Sequence, residues 1–382
     1  MKNSLIVLIL LVAIMMSAGC RGGNGDYEDA FVGVDPPQTQ EPEQDTEAET
    51  DPEEYEEEYE EEIWVDPRPR ALLTGMPIDE AYLNRRPVAA VINNIHIALP
   101  QSGIAQADVI YEVLSEGNIT RLIGIFQSDI PEKIGPVRST RDYFVDFAFN
   151  HDAIFIHHGG SATGYARIRN TGIPNLDGMA LEGTVFWRDR SYPEWHAHTG
   201  LRPTEHSSYT GWEQLSSHIT SRGIRSTIND NPAFGFNFVD CLEDIPAASS
   251  AGHGSANRIY VSFSPTYGRT FVFDHETGLY MVENSSGPLQ DAETEAQVAV
   301  ANVLVQLTTK RVIDNEGRRY VGTVGEGTGY LATGGRVYRV RWAKASHTAP
   351  MRWYFEDGTP LALTPGQTWI NVFQSNGVVT FE

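Results

Sequence analysis

Two arginines three residues apart, Arg138 and Arg141, follow Gly135-Pro136 in the segment IGPVRSTRDYF and precede an apolar run. Guanidinium groups present planar sets of donors that match carboxylate and phosphate oxygens. A helix starting behind them would add unpaired backbone N–H groups and the positive end of its dipole, completing a pocket for an anion. The same side chains can instead close on a nearby acid, and Asp142, Asp146, Glu112 and Glu116 are the candidates.

The segment HHGGSATG repeats the theme, because a strand ending in Gly159-Gly160 before a helix exposes amide donors at the carboxyl edge of a sheet, where α/β units bind ligands. One of His157 and His158 is expected to point into the core, leaving the other for a site shared with Ser161. Around the two arginines we place Glu112, Glu116, Arg121 and one of these histidines as ligand-binding residues. Arg188, in FWRDR, joins a tryptophan to a charge, which suits a sugar or peptide platform and equally a packed edge with a salt bridge. His196, His198 and His206 lie in EWHAHTGLRPTEH; a His-x-His pair can hold a metal, but the third spacing is loose and prolines imply a loop, so a polar surface loop is expected and no metal. The chain has no Walker loop, dinucleotide fingerprint, HExxH or Gly-x-Ser-x-Gly elbow, so no cofactor is expected.

Elements must bring these residues together. The chain opens with MKNSLIVLILLVAIMMSAGC, one lysine and a short apolar stretch ending in small residues and Cys20, which reads as an export signal at 1–20 with Cys20 as a lipidation site. The formal net charge is −23, yet residues 21–66 hold 19 Asp and Glu against one Arg, leaving 32 acidic and 27 basic residues elsewhere. That acidic, aliphatic-poor run reads as a disordered tether. Cys241 is the other cysteine, so with Cys20 acylated no intrachain disulfide forms.

Strands are predicted at Val88–Ile92, Thr120–Gln127 and Ala153–His157, with 107–116 ambiguous between helix and strand. Helices are predicted from a Ser139/Asp142 capping-box-like start to Asn150 and over TGYARIRN. Strand 120–127, helix and strand 153–157 would form one parallel βαβ crossover. From Arg258 the texture becomes alternating, aromatic and β-branched, which predicts a mainly antiparallel β module. The expected fold class is α+β: an N-terminal mixed α/β module at 67–245 followed by a mainly antiparallel β module at 246–382, with a small, polar linker across 244–257. Trp342, Trp353 and Trp369 either fill a core or form an interaction surface.

The segments RPVAAVINNIHIALPQSGIAQADVIYEVLSEGNITRLIGIFQS, PEKIGPVRSTRDYFVDFAFNHDAIFIHHGGS, FWRDR, VANVLVQ, RWAKAS and LALTPGQTWINVF together resemble the YerB-like bacterial lipoproteins, the domain of unknown function 3048. The resemblance spans both family domains. It implies a two-domain α+β architecture in the envelope of Gram-positive bacteria and brings no established reaction. The family's polar pattern falls here on Asn93, Glu112, Glu116, Arg121, Arg138 and Arg141, and also on His157, Arg188 and His206. Relatives tend to read Pro-His-Asn where this chain has Glu205-His206-Ser207. The expectation is therefore a protein lipid-anchored to the extracytoplasmic face of the cell membrane, binding a cell-wall glycan, an anionic polymer or a cell-wall enzyme and no nucleic acid. The alternative is an envelope hydrolase or transferase acting on a phosphodiester or glycosidic bond, with Glu112 or Glu116 and a histidine as acid and base.

Overall fold

The structure, a computed structural model, describes residues 66–197, 200–230, 232–240, 242–245, 254–374 and 377–382. Cys20 and its leader, the acidic run to residue 65, His198, Cys241 and the linker stretch 246–253 lie outside the described residues. Among the described residues no helix is long and apolar enough to cross a membrane.

The fold is α+β. Strands form where β-branched and aromatic residues run or alternate: β1 (Val88–Asn93), β2 (Val109–Leu114), β3 (Thr120–Phe126), β4 (Ile154–His157) and β5 (Asn175–Asp177). The ambiguous stretch 107–116 holds β2, all six residues of which are buried. A strand covered on both faces reads as a continuous apolar run, which is why alternation there was weak. Helix α1 is Asp142–Phe149 and α2 is Ala162–Thr171. Two-residue strands β6 (Trp187–Arg188) and β7 (Ser208–Tyr209) pair with each other.

The expected crossover is corrected. The β2–β3 turn at Ser115–Ile119, with Gly117 and Asn118 left-handed at φ 66° and 59°, is too short to join anything but antiparallel strands. β3 therefore runs against both β2 and β1, while β4 pairs parallel with β1, so β3 and β4 point in opposite directions. The βαβ unit is β4–α2–β5, with β4 and β5 parallel.

The later strands are β8 (Arg258–Ser264), β9 (Tyr267–Asp274), β10 (Leu279–Asn284), β11 (Asn302–Thr308), β12 (Gly325–Thr333), β13 (Arg336–Lys344), β14 (Arg352–Phe355), β15 (Thr368–Gln374) and β16 (Val378–Phe381). One large sheet runs β14-β13-β12-β11-β15-β2-β3-β1-β4-β5, and β15 is its seam, parallel to β11 on one side and to β2 on the other. A second sheet, β10-β9-β8-β16 with short additions, covers part of one face. There Phe271 meets Trp369 edge-on at 5.8 Å and Phe263 meets Phe373 at 5.6 Å. α1 covers the other face, with Phe147 stacked on Tyr111 at 4.8 Å. Trp342, Trp353 and Trp369 are all buried, so they fill the core rather than a partner surface.

Glu112 belongs to this framework. Strand alternation turns it to the face under the second sheet, where Arg269 of β9 donates Nε to Oε2 at 2.8 Å and Nη2 to Oε1 at 3.1 Å. Thr120 and Asn94 donate to the same carboxylate at 2.7 and 3.2 Å, and both charged side chains are 2 % exposed. A buried pair of this kind is costly to break from one side. Arg269→Met is expected to lose about 3–5 kcal/mol in urea unfolding, and Glu112→Met/Arg269→Met to lose less than that single change. A loss below about 1 kcal/mol in the single variant would remove the pair from the framework.

Candidate functional site

β1, β2, β4 and β5 point one way and β3 the other, so the carboxyl ends of four strands share an edge with the first residues of β3. β1 and β4 pair only from Val88↔Ile154 to Ala90↔Ile156. Beyond that the strands part and Val137-Arg138 inserts between them: Arg138 N donates to Val91 O at 2.8 Å and His158 N donates to Arg138 O at 3.0 Å. Val137 N donates to Ser208 O at 2.7 Å, tying β7 to the same insertion. The turn into it needs Gly135, whose φ is +150° and where a Cβ would stand 2.8 Å from Ser208 O.

The expected capping box does not form. Thr140 is held extended, its N–H donating to Gly159 O at 2.9 Å while Ser161 N donates to Thr140 O at 3.1 Å. α1 therefore starts at Asp142, with Arg141 extended at the N-cap position and making no side-chain cap bond. Ser161 caps α2 instead, accepting from Gly164 N at 3.0 Å, which ties up a hydroxyl expected in the cleft.

Arg141 takes the carboxylate alternative. Its Nη2 donates to Glu116 Oε2 at 2.8 Å and its Nε to Oε1, a two-point bond to the β2–β3 turn. Arg121, at the start of β3, reaches the same carboxylate at 3.6 Å and donates to Ser139 O at 2.6 Å. Burial alone would raise the pKa of Glu116, but bonds from Arg141 and Ser115 and the charges of Arg141 and Arg121 hold it at about 2. Burial, then the charge of Arg141, brings Arg121 down to about 10.

A second pair flanks the insertion. Arg188 donates Nε to Glu182 Oε1 at 2.6 Å and Nη2 to Oε2 at 3.0 Å, while Nη2 also meets His158 Nε2 at 3.0 Å. His158 Nδ1 lies 2.8 Å from Ser208 Oγ, so the ring carries its proton on Nδ1 and accepts at Nε2. Burial and the Arg188 charge lower its pKa, in keeping with a neutral ring. Gly178 makes room for it, since a Cβ there would fall 2.2 Å from His158 Nδ1.

Arg138 lies between these pairs and differs from both. It is half-buried, donates Nη1 to the Glu205 carbonyl, and forms no ion pair among the described residues. Burial lowers its pKa, and the charges of Arg141 and Arg188 act in the same direction against Glu205 and Glu116. His206 stands beside it, accepting from Asn93 Nδ2 at 2.8 Å, its pKa lowered by burial and by Arg138.

The structure thus gathers Glu116, Arg121, Arg138, Arg141, His158, Arg188 and His206 at one edge. Two expected members are elsewhere: Glu112 is on the opposite face with Arg269, and His157 is fully buried, its Nδ1 2.8 Å from Gly159 O and its Nε2 3.2 Å from Asn175 Oδ1. Sequence reading missed Glu182 and Ser208, which reach the site from the end of a four-residue helix and from the two-residue strand β7, elements too short to carry a periodic signal. His196 stacks on Tyr192 at 5.6 Å, and among the described residues no group of three or more His, Cys, Asp or Glu is placed to hold a metal. Grooves of about 680 and 460 Å³ elsewhere on the surface are not lined by any of these groups. The site is lined by charged and polar side chains, unlike the mostly apolar cavities that hold small molecules.

Comparison with known proteins defines the class. Residues 73–225 match the N-terminal domain and residues 259–370 the C-terminal domain of the DUF3048 family, described as proteins of unknown function, and the chain belongs to that family. The chain is 32 % identical over 306 residues, 79 % of its length and 86 % of the relative's, to a Bacillus subtilis (strain 168) protein named "Putative lipoprotein YerB". The crystal structure of YerB from Bacillus subtilis superposes with a TM-score of 0.69 at 29 % identity, covering 82 % of this chain and all of that one.

A carboxylate held at about 2 in the fold against an ordinary 4.5 contributes stability above pH 4.5 and loses it as pH falls towards 2. Glu116→Gln should flatten the fall in melting temperature across that window. An unchanged acid slope would mean that the Arg141 bond contributes nothing to the fold.

Proposed function

We propose that this chain is a lipid-anchored, extracytoplasmic protein that binds an anionic component of the cell wall, or a cell-wall enzyme presenting one, through the edge built around Arg138. The single observation that carries the reading is a half-buried guanidinium with no carboxylate partner among the described residues, set between two arginines whose charges are already met. Such a group retains donors for an incoming oxyanion, and its neighbours resist a cation there. The lipid anchor draws its support from the Cys20 leader and from the name of the Bacillus subtilis relative.

A hydrolase or transferase would need Glu112 or Glu116 free to exchange a proton. Each instead accepts a two-point bond from an arginine, so binding is the reading adopted.

A charge-assisted hydrogen bond is worth about 1.5–3 kcal/mol, so Arg138→Gln should weaken retention on isolated cell wall roughly 10- to 100-fold. Arg258→Gln, on the second sheet, should bind as the parent does. Equal retention of the parent and Arg138→Gln would refute the site.

A further inference from the structure

A second charged surface lies on the large sheet, away from the edge described above. The second sheet covers one face of β11 and β15, packing on Val303, Val305, Trp369 and Phe373, and Tyr330 of β12 meets Phe381 of β16 at 5.1 Å. Past that line no described residue covers the same face of β12–β14, and alternation follows it: Arg339 and Arg341 on β13 and Arg352 on β14 are exposed while Val340, Trp342 and Trp353 between them are buried. Register places Arg341 opposite Tyr354 and Ala343 opposite Arg352. Arg339 and Arg352 form no ion pair among the described residues, and Arg341 has only Glu326 at 3.7 Å, both side chains more than half exposed. A pair so exposed holds little energy. Glu356 and Asp357 lie beyond, in the turn after β14. A groove of about 680 Å³ adjoins the row, lined by Arg352, Tyr354, Ala343, Glu326, Lys344 and Pro350.

We propose that this open face binds a linear polymer carrying phosphodiesters at short, regular spacing. Alternate residues on a strand stand about 7 Å apart, so Arg339 and Arg341 are one such step apart and Arg352, diagonally across from Arg341, one slightly longer step further. A polyol phosphate with three carbons between phosphates repeats its charge on that scale. An extended polyanion can therefore meet successive guanidiniums by following β13 and then stepping across to β14, with Tyr354 and the small-residue groove beside them receiving its uncharged links. Three cationic side chains and one acid on this face of the strands supply the complementarity.

The test is binding of poly(glycerol phosphate) to the chain and to Arg339→Gln/Arg341→Gln/Arg352→Gln, whose exposed positions should leave the melting temperature unchanged. The expected result is at least a tenfold loss at low salt. The slope of log affinity against log salt should also become shallower by about two, at roughly 0.7 per phosphate contact. Arg258→Gln, an exposed arginine on the second sheet, should keep the parent's affinity and slope, which ties the binding to this row rather than to any surface arginine. The proposal is overturned if the triple variant binds like the parent or if the parent does not bind. It is equally overturned if polyglutamate binds as tightly, making any polyanion sufficient, or if phosphatidylglycerol vesicles are bound and the polymer is not.

Discussion

The edge that carries Arg138 exists because two parallel strands part. β1 and β4 pair over three residues each, and where they diverge the backbone of Val137-Arg138 takes up the amides and carbonyls that the strands would have offered each other. Unpaired backbone groups at a buried strand end are costly, so the insertion is fixed by hydrogen bonding rather than by side chains. Everything else at the edge is referred to it. His158 is placed by its own N–H on Arg138 O, β7 by Val137, and Gly135 by the close approach of Ser208 O.

Upon that frame the charges are distributed unevenly. Arg141 and Arg188 each spend two donors on one glutamate, and Arg121 shares the first of these acids, so three guanidiniums are already answered. Among the described residues Arg138 has only a carbonyl. Neutral His158 and His206 add no charge, so four guanidiniums face two glutamates here, and Arg138 is the one with no carboxylate among the described residues. Glu112 shows the contrast: its arginine, Arg269, comes from the second sheet, and the pair joins two parts of the chain instead of facing solvent.

Much of this was legible in the sequence, for identifiable reasons. Strands β1, β3 and β4 and most of the strands after Arg258 appear as apolar or alternating runs, which depend only on neighbours in the chain. That one of His157 and His158 points inward follows from strand period alone. Direction was not legible, because whether β3 and β4 run together depends on the two-residue left-handed turn at Gly117-Asn118 and on the long excursion before α1. The start of α1 was misplaced because Thr140 is claimed by Gly159 and Ser161, contacts between distant segments. Of the two alternatives for Arg138 and Arg141, Arg141 takes the carboxylate, because it lies within reach of the β2–β3 turn, a contact between distant segments that the sequence does not display.

The central claim is that Arg138 is a guanidinium prepared for an oxyanion while its neighbours are not. The most direct measurement follows the arginine side-chain Nε–Hε resonances by NMR as inorganic phosphate is added. The account predicts a saturable shift of the Arg138 signal, with those of Arg141 and Arg188 moving far less because their donors stay on Glu116 and Glu182. No saturable change at Arg138, or an equal response from all three, would contradict it.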